Sequence, residues 1–300
     1  MRTGTVRVSS AELAFEIHGG GAVDLVIEMG LGAAMAEWRP LAEQLTARYT
    51  VLLYQRAGYG ASGPSALTRT PEHIASELRE LLEGTGHAGK ITLLAHSQGG
   101  LYVWQFARKY PELVNKLVLL DPLSPEDYRF RLELTAEEFH RSGADKTAGL
   151  RLSGKLTRLH LGWLVRRSMR SAPPLCCYGF SGRETREILA LLGNARTYET
   201  ALAEYAEAHE AANLTGLLDK TSFPALPVVL VTHSSDISQQ EIRDYGGASD
   251  AQARKIETLW QAVMGAYLTC SARGTAVRAE HSGHYIHLTD GALVCGLLGL

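Results

Sequence analysis

The sequence predicts an α/β fold: a mostly parallel sheet flanked by helices, with an all-helical segment set into it. Three observations lead there. Short runs rich in Val, Ile and Leu alternate with longer helical patterns up to "DPLSPED", the alternation then stops for about a hundred residues, and it resumes at "ALPVVLVTH".

The strands are expected at "TVRVSS", "LAFEIHG", "VDLVIEM", "TVLLYQ", "KITLLAH" and "NKLVLLD", from their length and their aliphatic content. Helical patterns lie between them near residues 36–48, 71–84 and 98–110. Two opening strands followed by alternating units give a sheet that is parallel except at its start. From about Leu123 to about Pro224 the patterns are helical and no strand is expected. After "ALPVVLVTH" come a helical stretch near 248–269, the strand "TAVRAE" and a closing helix ending at Leu300. The helical segment therefore interrupts one sheet. The division is a core of residues 1–122 and 225–300 with an insertion of residues 123–224.

Composition narrows the partners. The chain has 300 residues, of which 45% are hydrophobic and 21% charged, and a net charge of −2. That is the profile of an ordinary globular protein, with no excess charge to attract nucleic acid or an anionic membrane. No apolar run approaches the roughly 20 residues of a membrane span, and "MRTGTVRVSSAELAFEIHGGG" has no secretory apolar region. Cys176, Cys177, Cys270 and Cys295 form no CxxC pair, which points to reduced thiols and a cytoplasmic setting. A small-molecule substrate is the expected partner, with homo-oligomerisation left open.

In "LLAHSQGGLYVW", Ser97 sits where a buried strand turns directly into a helix. A serine there adopts a strained backbone that lifts its side chain above the sheet. Neighbours two residues away must be small, and Ala95 and Gly99 are. This is the nucleophile elbow, written G-x-S-x-G and here A-x-S-x-G. The competing reading is a serine that only caps the helix.

A serine hydroxyl becomes a good nucleophile only when a base takes its proton and a third group orients the base. "SSDIS" places Asp236 on an expected loop at the carboxyl end of "PVVLVTH", the sheet edge where active groups of α/β folds collect. After the last strand "EHSGHYIH" offers His281, His284 and His287. His284, next to Gly283 on the expected loop, is preferred. The order Ser97, Asp236, His284 suits a triad of this fold. Asp121, in "LVLLDP", is the alternative acid and otherwise reads as a turn residue before Pro122. Two backbone N–H groups are needed for the developing oxyanion, each worth about 3 kcal/mol. That of Gln98 follows the nucleophile, and that of Leu31 comes from the glycine-rich "EMGLGAAMAEW".

Together "EMGLGAAMAEW", "YQRAGYGASGPS", "AHSQGGLYVWQFARKYPELVNKLVLLDP" and "SGHYIHL" resemble the α/β-hydrolase superfamily across nearly the whole chain. The departures are Ala95 for glycine, Met29 where many members carry histidine, and Gln55 where aspartate is usual. The resemblance implies an α/β-hydrolase fold with an eight-stranded sheet and a helical cap, or lid, between strands six and seven. It also implies Ser97, Asp236 and His284 as the triad of a serine hydrolase. The expected substrate is a small, mainly apolar ester, lactone, thioester or related carbonyl compound, cleaved through an acyl-enzyme on Ser97. No metal or organic cofactor is called for. Serine as nucleophile disfavours epoxide hydrolase and haloalkane dehalogenase chemistry, which uses aspartate there. The alternative is a ligand-binding protein that keeps the fold and turns over slowly or not at all.

Two further stretches carry expectations. In "RLSGKLTRLHLGWLVRRSMR", Leu152, Leu156, Leu159 and Trp163 share a helical stripe, expected to lie against the protein where it could roof the site. Glu199, Glu204, Glu207 and Glu210 are expected on the solvated face of another helix. His96 is expected to point away from Ser97 as a structural donor.

Overall fold

Eight strands form a single sheet in the computed structural model, which describes residues 1–221 and 223–300. They are β1 (Arg2–Arg7), β2 (Glu12–His18), β3 (Val23–Glu28), β4 (Val51–Tyr54), β5 (His87–His96), β6 (Val114–Leu120), β7 (Val228–His233) and β8 (Gly274–Ala279). Their order across the sheet is β1-β2-β4-β3-β5-β6-β7-β8. The β1–β2 and β2–β4 pairs are antiparallel and every later pair is parallel. Each expected strand is present, with β1 starting earlier than "TVRVSS" and β5 extended backward to His87.

Strand β5 shows why the central run is apolar throughout. Successive side chains of a strand point to opposite faces, and both faces here are covered. Leu93 packs with Leu101 and Trp104 on one face. Leu94 packs with Trp38 and Ile286 on the other. Helices α1 (Met35–Leu45), α2 (Pro71–Thr85) and α3 (Gly99–Lys109) contribute to those layers and lie close to the expected positions.

Between β6 and β7 the described residues form helices α4 (Arg129–Glu133), α5 (Ala136–Arg141), α6 (Thr147–Arg158), α7 (Gly162–Met169), α8 (Gly182–Leu192), α9 (Ala195–Ala208) and α10 (Ala211–Leu214), and no strand. The apolar stripe expected to face the protein does not do so. His160 takes a left-handed backbone (φ 61°) and turns the chain between α6 and α7; Leu152, Leu159 and Trp163 are exposed and Leu156 is half-buried. The small residues Gly154 and Thr157 are buried instead. A Cβ on Gly154 would lie 3.2 Å from Tyr198 Cβ, so α6 meets α9 through its glycine.

Past β7 the chain forms α11 (Ser235–Asp244) and α12 (Asp250–Gly265), then β8, α13 (Ile286–Thr289) and α14 (Gly291–Leu297). The register sets His96 beside Leu120, Leu120 beside Val231, and His233 beside Ala279. The carboxyl ends of β5 to β8 therefore stand side by side, and whatever follows each strand emerges on one edge.

Candidate active site

Ser97 occupies the two-residue turn between β5 and α3 with φ 53°, the left-handed region that side-chain-bearing residues avoid. Such a conformation costs on the order of 1–3 kcal/mol and persists only where its surroundings impose it. Here the Ser97 N–H donates to Leu120 O at 3.1 Å, and Ser97 O accepts from Gly100 N at 3.0 Å and Leu123 N at 2.9 Å. Glycine at 99 is obligatory, since a Cβ there would lie 2.4 Å from Glu28 O. Ala95 is fully buried, so one methyl fits where glycine is common in the motif.

Asp121 follows β6 and is also left-handed, with φ 46°. Its carboxylate is buried, and its Oδ2 accepts from His284 Nδ1 at 2.6 Å. That bond places the proton on Nδ1 and leaves Nε2 as the free lone pair. The His284 ring is 39% exposed. His284 O accepts from His96 Nε2 at 2.9 Å, and the two rings lie 4.5 Å apart. Burial pushes His96 down to about 3, so it stays neutral and acts as the structural donor the sequence suggested. Because His96 adjoins Ser97, it fixes the histidine loop beside the serine. Among the described residues Ser97 Oγ has no hydrogen-bond partner; such contacts are often long without substrate.

Asp236 does not meet the histidine. The "SSDIS" stretch was expected to be a loop, but it opens α11, and Asp236 lies exposed in the first helical turn. A serine followed by an acidic residue is itself a helix-start signal, since an acid in the first turn complements the helix dipole. The position facing His284 belongs to Asp121, the alternative acid. Of the other histidines, His281 is exposed, while His287 is buried in α13 and stacked on Trp38 at 3.8 Å.

The glycine-rich loop after β3 runs against the serine: a Cβ on Gly30 would sit 3.3 Å from Ser97 Cβ and 3.2 Å from His96 Nδ1. Arg56 Nη2 donates to Gly30 O at 2.9 Å, and Nη1 donates to Met29 O at 2.5 Å. A planar peptide points its C=O and N–H to opposite sides, so fixing Gly30 O also fixes the Leu31 N–H. Neither the Leu31 N–H nor the Gln98 N–H has an acceptor among the described residues.

Arg56 is held in turn by Glu28 at 2.8 Å and by Glu204 at 2.9 Å. Glu204 was expected on a solvated face, but it is completely buried on α9, where it also accepts from Tyr59 at 3.0 Å and Arg69 at 3.4 Å. Glu199, Glu204 and Glu207 of α9 are five and three residues apart, a spacing that gave no means of telling which one turns inward. His233, at the end of β7, was also missed: its Nδ1 lies 2.6 Å from Asp121 Oδ1 and its Nε2 2.9 Å from Glu257 Oε2 on α12. Among the described residues no group of three or more His, Cys, Asp or Glu side chains is placed to hold a metal ion.

This elbow, the histidine loop and the sheet topology match a known pattern. The family model described as "Alpha/beta hydrolase family" covers residues 17–296. The chain belongs to the α/β-hydrolase family. Within it, this family member is 32% identical over 111 residues to "Putative carbamate hydrolase RutD" of Azorhizobium caulinodans, a match covering 37% of this chain and 41% of that protein. The chain thus spans less than half the length of that curated relative. The solved structure of the epoxide hydrolase CorEH superposes with a TM-score of 0.69 at 16% identity, covering 99% of this chain and 96% of that one. A thermophilic esterase from Thermogutta terrifontis superposes with a TM-score of 0.63 at 18% identity, covering 99% and 97%. At those identities the likeness concerns the fold of this family member. No helix among its described residues is long and apolar enough to cross a membrane.

Proposed function

We propose that this family member is a serine hydrolase of a small, mainly apolar carbonyl substrate, with Ser97 as nucleophile, His284 as base and Asp121 as the acid that orients it. The observation that carries this reading is the left-handed Ser97 at the strand-to-helix turn, beside a histidine whose Nδ1 is bound to a buried carboxylate. In this scheme His284 Nε2 takes the proton of Ser97 Oγ as the oxygen attacks the carbonyl carbon. Asp121 stabilises the imidazolium that forms. The N–H groups of Gln98 and Leu31 receive the developing oxyanion. Collapse expels the leaving group, which takes the proton from His284 and leaves an acyl-enzyme. A water activated by His284 then hydrolyses it. The helices between β6 and β7 serve as the cap over this edge.

The names of the relatives span carbamate, epoxide and ester chemistry. Serine at position 97 favours acyl chemistry over epoxide opening, which needs a carboxylate nucleophile in this fold. The four free thiols and the lack of charge bias fit the cytoplasmic setting inferred from sequence. The test is labelling by a fluorophosphonate with the adduct located by mass spectrometry, alongside p-nitrophenyl esters of rising chain length. We expect an adduct on Ser97 and a short-to-medium chain optimum, both lost in Ser97→Ala. A folded protein that takes no label and cleaves no ester would favour the ligand-binding alternative.

A further inference from the structure

We propose that His233, clasped between Asp121 and Glu257, is a positioning residue that fixes the acid of the triad and sets the charge that acid presents to His284. The inference rests on the reading of Ser97, His284 and Asp121 given above.

Asp121 serves two histidines at once. Oδ2 faces His284 Nδ1 at 2.6 Å, while Oδ1 accepts from both His233 Nδ1 at 2.6 Å and the His233 N–H at 3.2 Å. Three bonds on two oxygens leave the carboxylate no freedom to rotate. The far side of the His233 ring faces a second carboxylate, Glu257 Oε2 at 2.9 Å. Glu257 is secured by Gln261, whose Nε2 donates to Oε1 at 2.8 Å.

A neutral imidazole carries one N–H and one lone pair. Set between two carboxylates it would turn that lone pair toward one of them, which is repulsive. Both ring nitrogens therefore carry hydrogen, and His233 is an imidazolium. In agreement, the two carboxylates raise His233 to about 10 against the opposing effect of its burial. Asp121 is held well below the usual carboxylate range by both histidines, although burial alone would raise it. All three side chains are nearly solvent-free, so these charges are weakly screened.

Asp121 and Glu257 bring two negative charges and His233 one positive, and the positive one is in direct contact with the carboxylate that must stabilise protonated His284. The remaining titratable groups around His284 are His96 from β5, Glu241 from α11, Tyr285 and His287, with Lys146 facing Glu241. His96 stays neutral, as does His287, which burial keeps well below the usual histidine range. Glu241 is raised by partial burial. None of them binds Asp121.

The sign of each change follows from Coulomb's law. His233→Asn keeps a donor toward Asp121 but removes the positive charge, so His284 becomes more basic. Glu257→Gln removes the negative charge behind His233, so His284 becomes less basic. A residue that only supported the fold would not produce shifts of opposite sign.

The decisive experiment uses the full-length protein in two readouts. The first is the pH dependence of fluorophosphonate labelling of Ser97. We expect its acid midpoint to rise by about one pH unit in His233→Asn and to fall in Glu257→Gln. Labelling that proceeds in both variants with an unmoved midpoint overturns the inference. The second is titration of the histidine rings by NMR in the unmodified protein, which needs neither turnover nor a variant that folds. His233 should stay protonated from pH 5 to pH 8; a midpoint near 6.5 would overturn the inference. Failure of Ser97 to label at all, with His233 protonated throughout, would instead count against the serine reading, so the two failures are told apart.

Discussion

Two side chains in this site sit in backbone conformations that glycine would adopt more readily, Ser97 at φ 53° and Asp121 at φ 46°. Each ends a central strand and is turned by that strain out of the sheet and onto its edge. Glycine at 97 would remove the left-handed penalty of about 1–2 kcal/mol along with the hydroxyl. Alanine would remove the hydroxyl alone. Ser97→Gly is accordingly expected to unfold at higher urea than Ser97→Ala, by about 1 kcal/mol after the added chain entropy of glycine, with both variants inactive toward esters. The choice between the two acids is tested in the same way. With Asp121 orienting His284 as proposed, Asp121→Asn should lower kcat/KM by about 10⁴-fold, the loss seen when the orienting acid of a known triad is removed. Asp236→Asn, at an exposed helix start, should leave it within a few-fold of the unmodified value. The reverse order in ester turnover would return the role to Asp236.

At the scale of elements, α9 is tied to the sheet by charge. Glu204 reaches from that helix to Arg56, and Arg56 holds Gly30 O, whose peptide carries the Leu31 N–H. A buried ion pair contributes little net stability, but removing one partner strands the other charge in a dry interior at about 3–5 kcal/mol. Glu204→Ala should therefore lower stability by about 3 kcal/mol in urea melts, since Glu28 still faces Arg56. If Arg56 also tilts the Gly30–Leu31 peptide, the variant loses kcat more than it raises KM. An unchanged kcat would show that the peptide is held by its loop alone. The α11 helix matters for the opposite reason. By forming, it carries Asp236 away from the histidine loop and leaves the strand end to His233.

Over the whole molecule, Glu37 gives the fold a pH dependence separable from catalysis. It is buried in the first turn of α1 with one bond, accepted from the Ala34 N–H at 2.8 Å, and burial raises its carboxyl to about 8. An acid raised in the folded state binds more protons there than in the unfolded chain. Stability from this group is thus full below the ordinary carboxylate range and declines as pH rises toward 8. The slope is at most about 1.4 kcal/mol per pH unit. Glu37→Gln keeps the acceptor for Ala34, so its stability relative to the unmodified protein should climb between pH 5 and pH 8 in parallel urea titrations. A constant difference over that range would mean that Glu37 stays ionised when folded.

The sequence by itself determined the strands, the parallel sheet, the helical interruption, the elbow at Ser97 and the loop bearing His284. These features are local: aliphatic runs, small residues flanking a serine and glycine before a histidine each constrain the backbone within a few residues. Only the tertiary structure decided which acid faces His284, which glutamate of α9 turns inward, that His160 breaks the helix, that Leu152 and Leu159 stay exposed, and that His233 shares the carboxylate. Asp121 and His284 are 163 residues apart, and Arg56 and Glu204 are 148 apart. Their meeting depends on strand register and helix placement, and charge partners are chosen by distance through space, which neighbours along the chain do not encode.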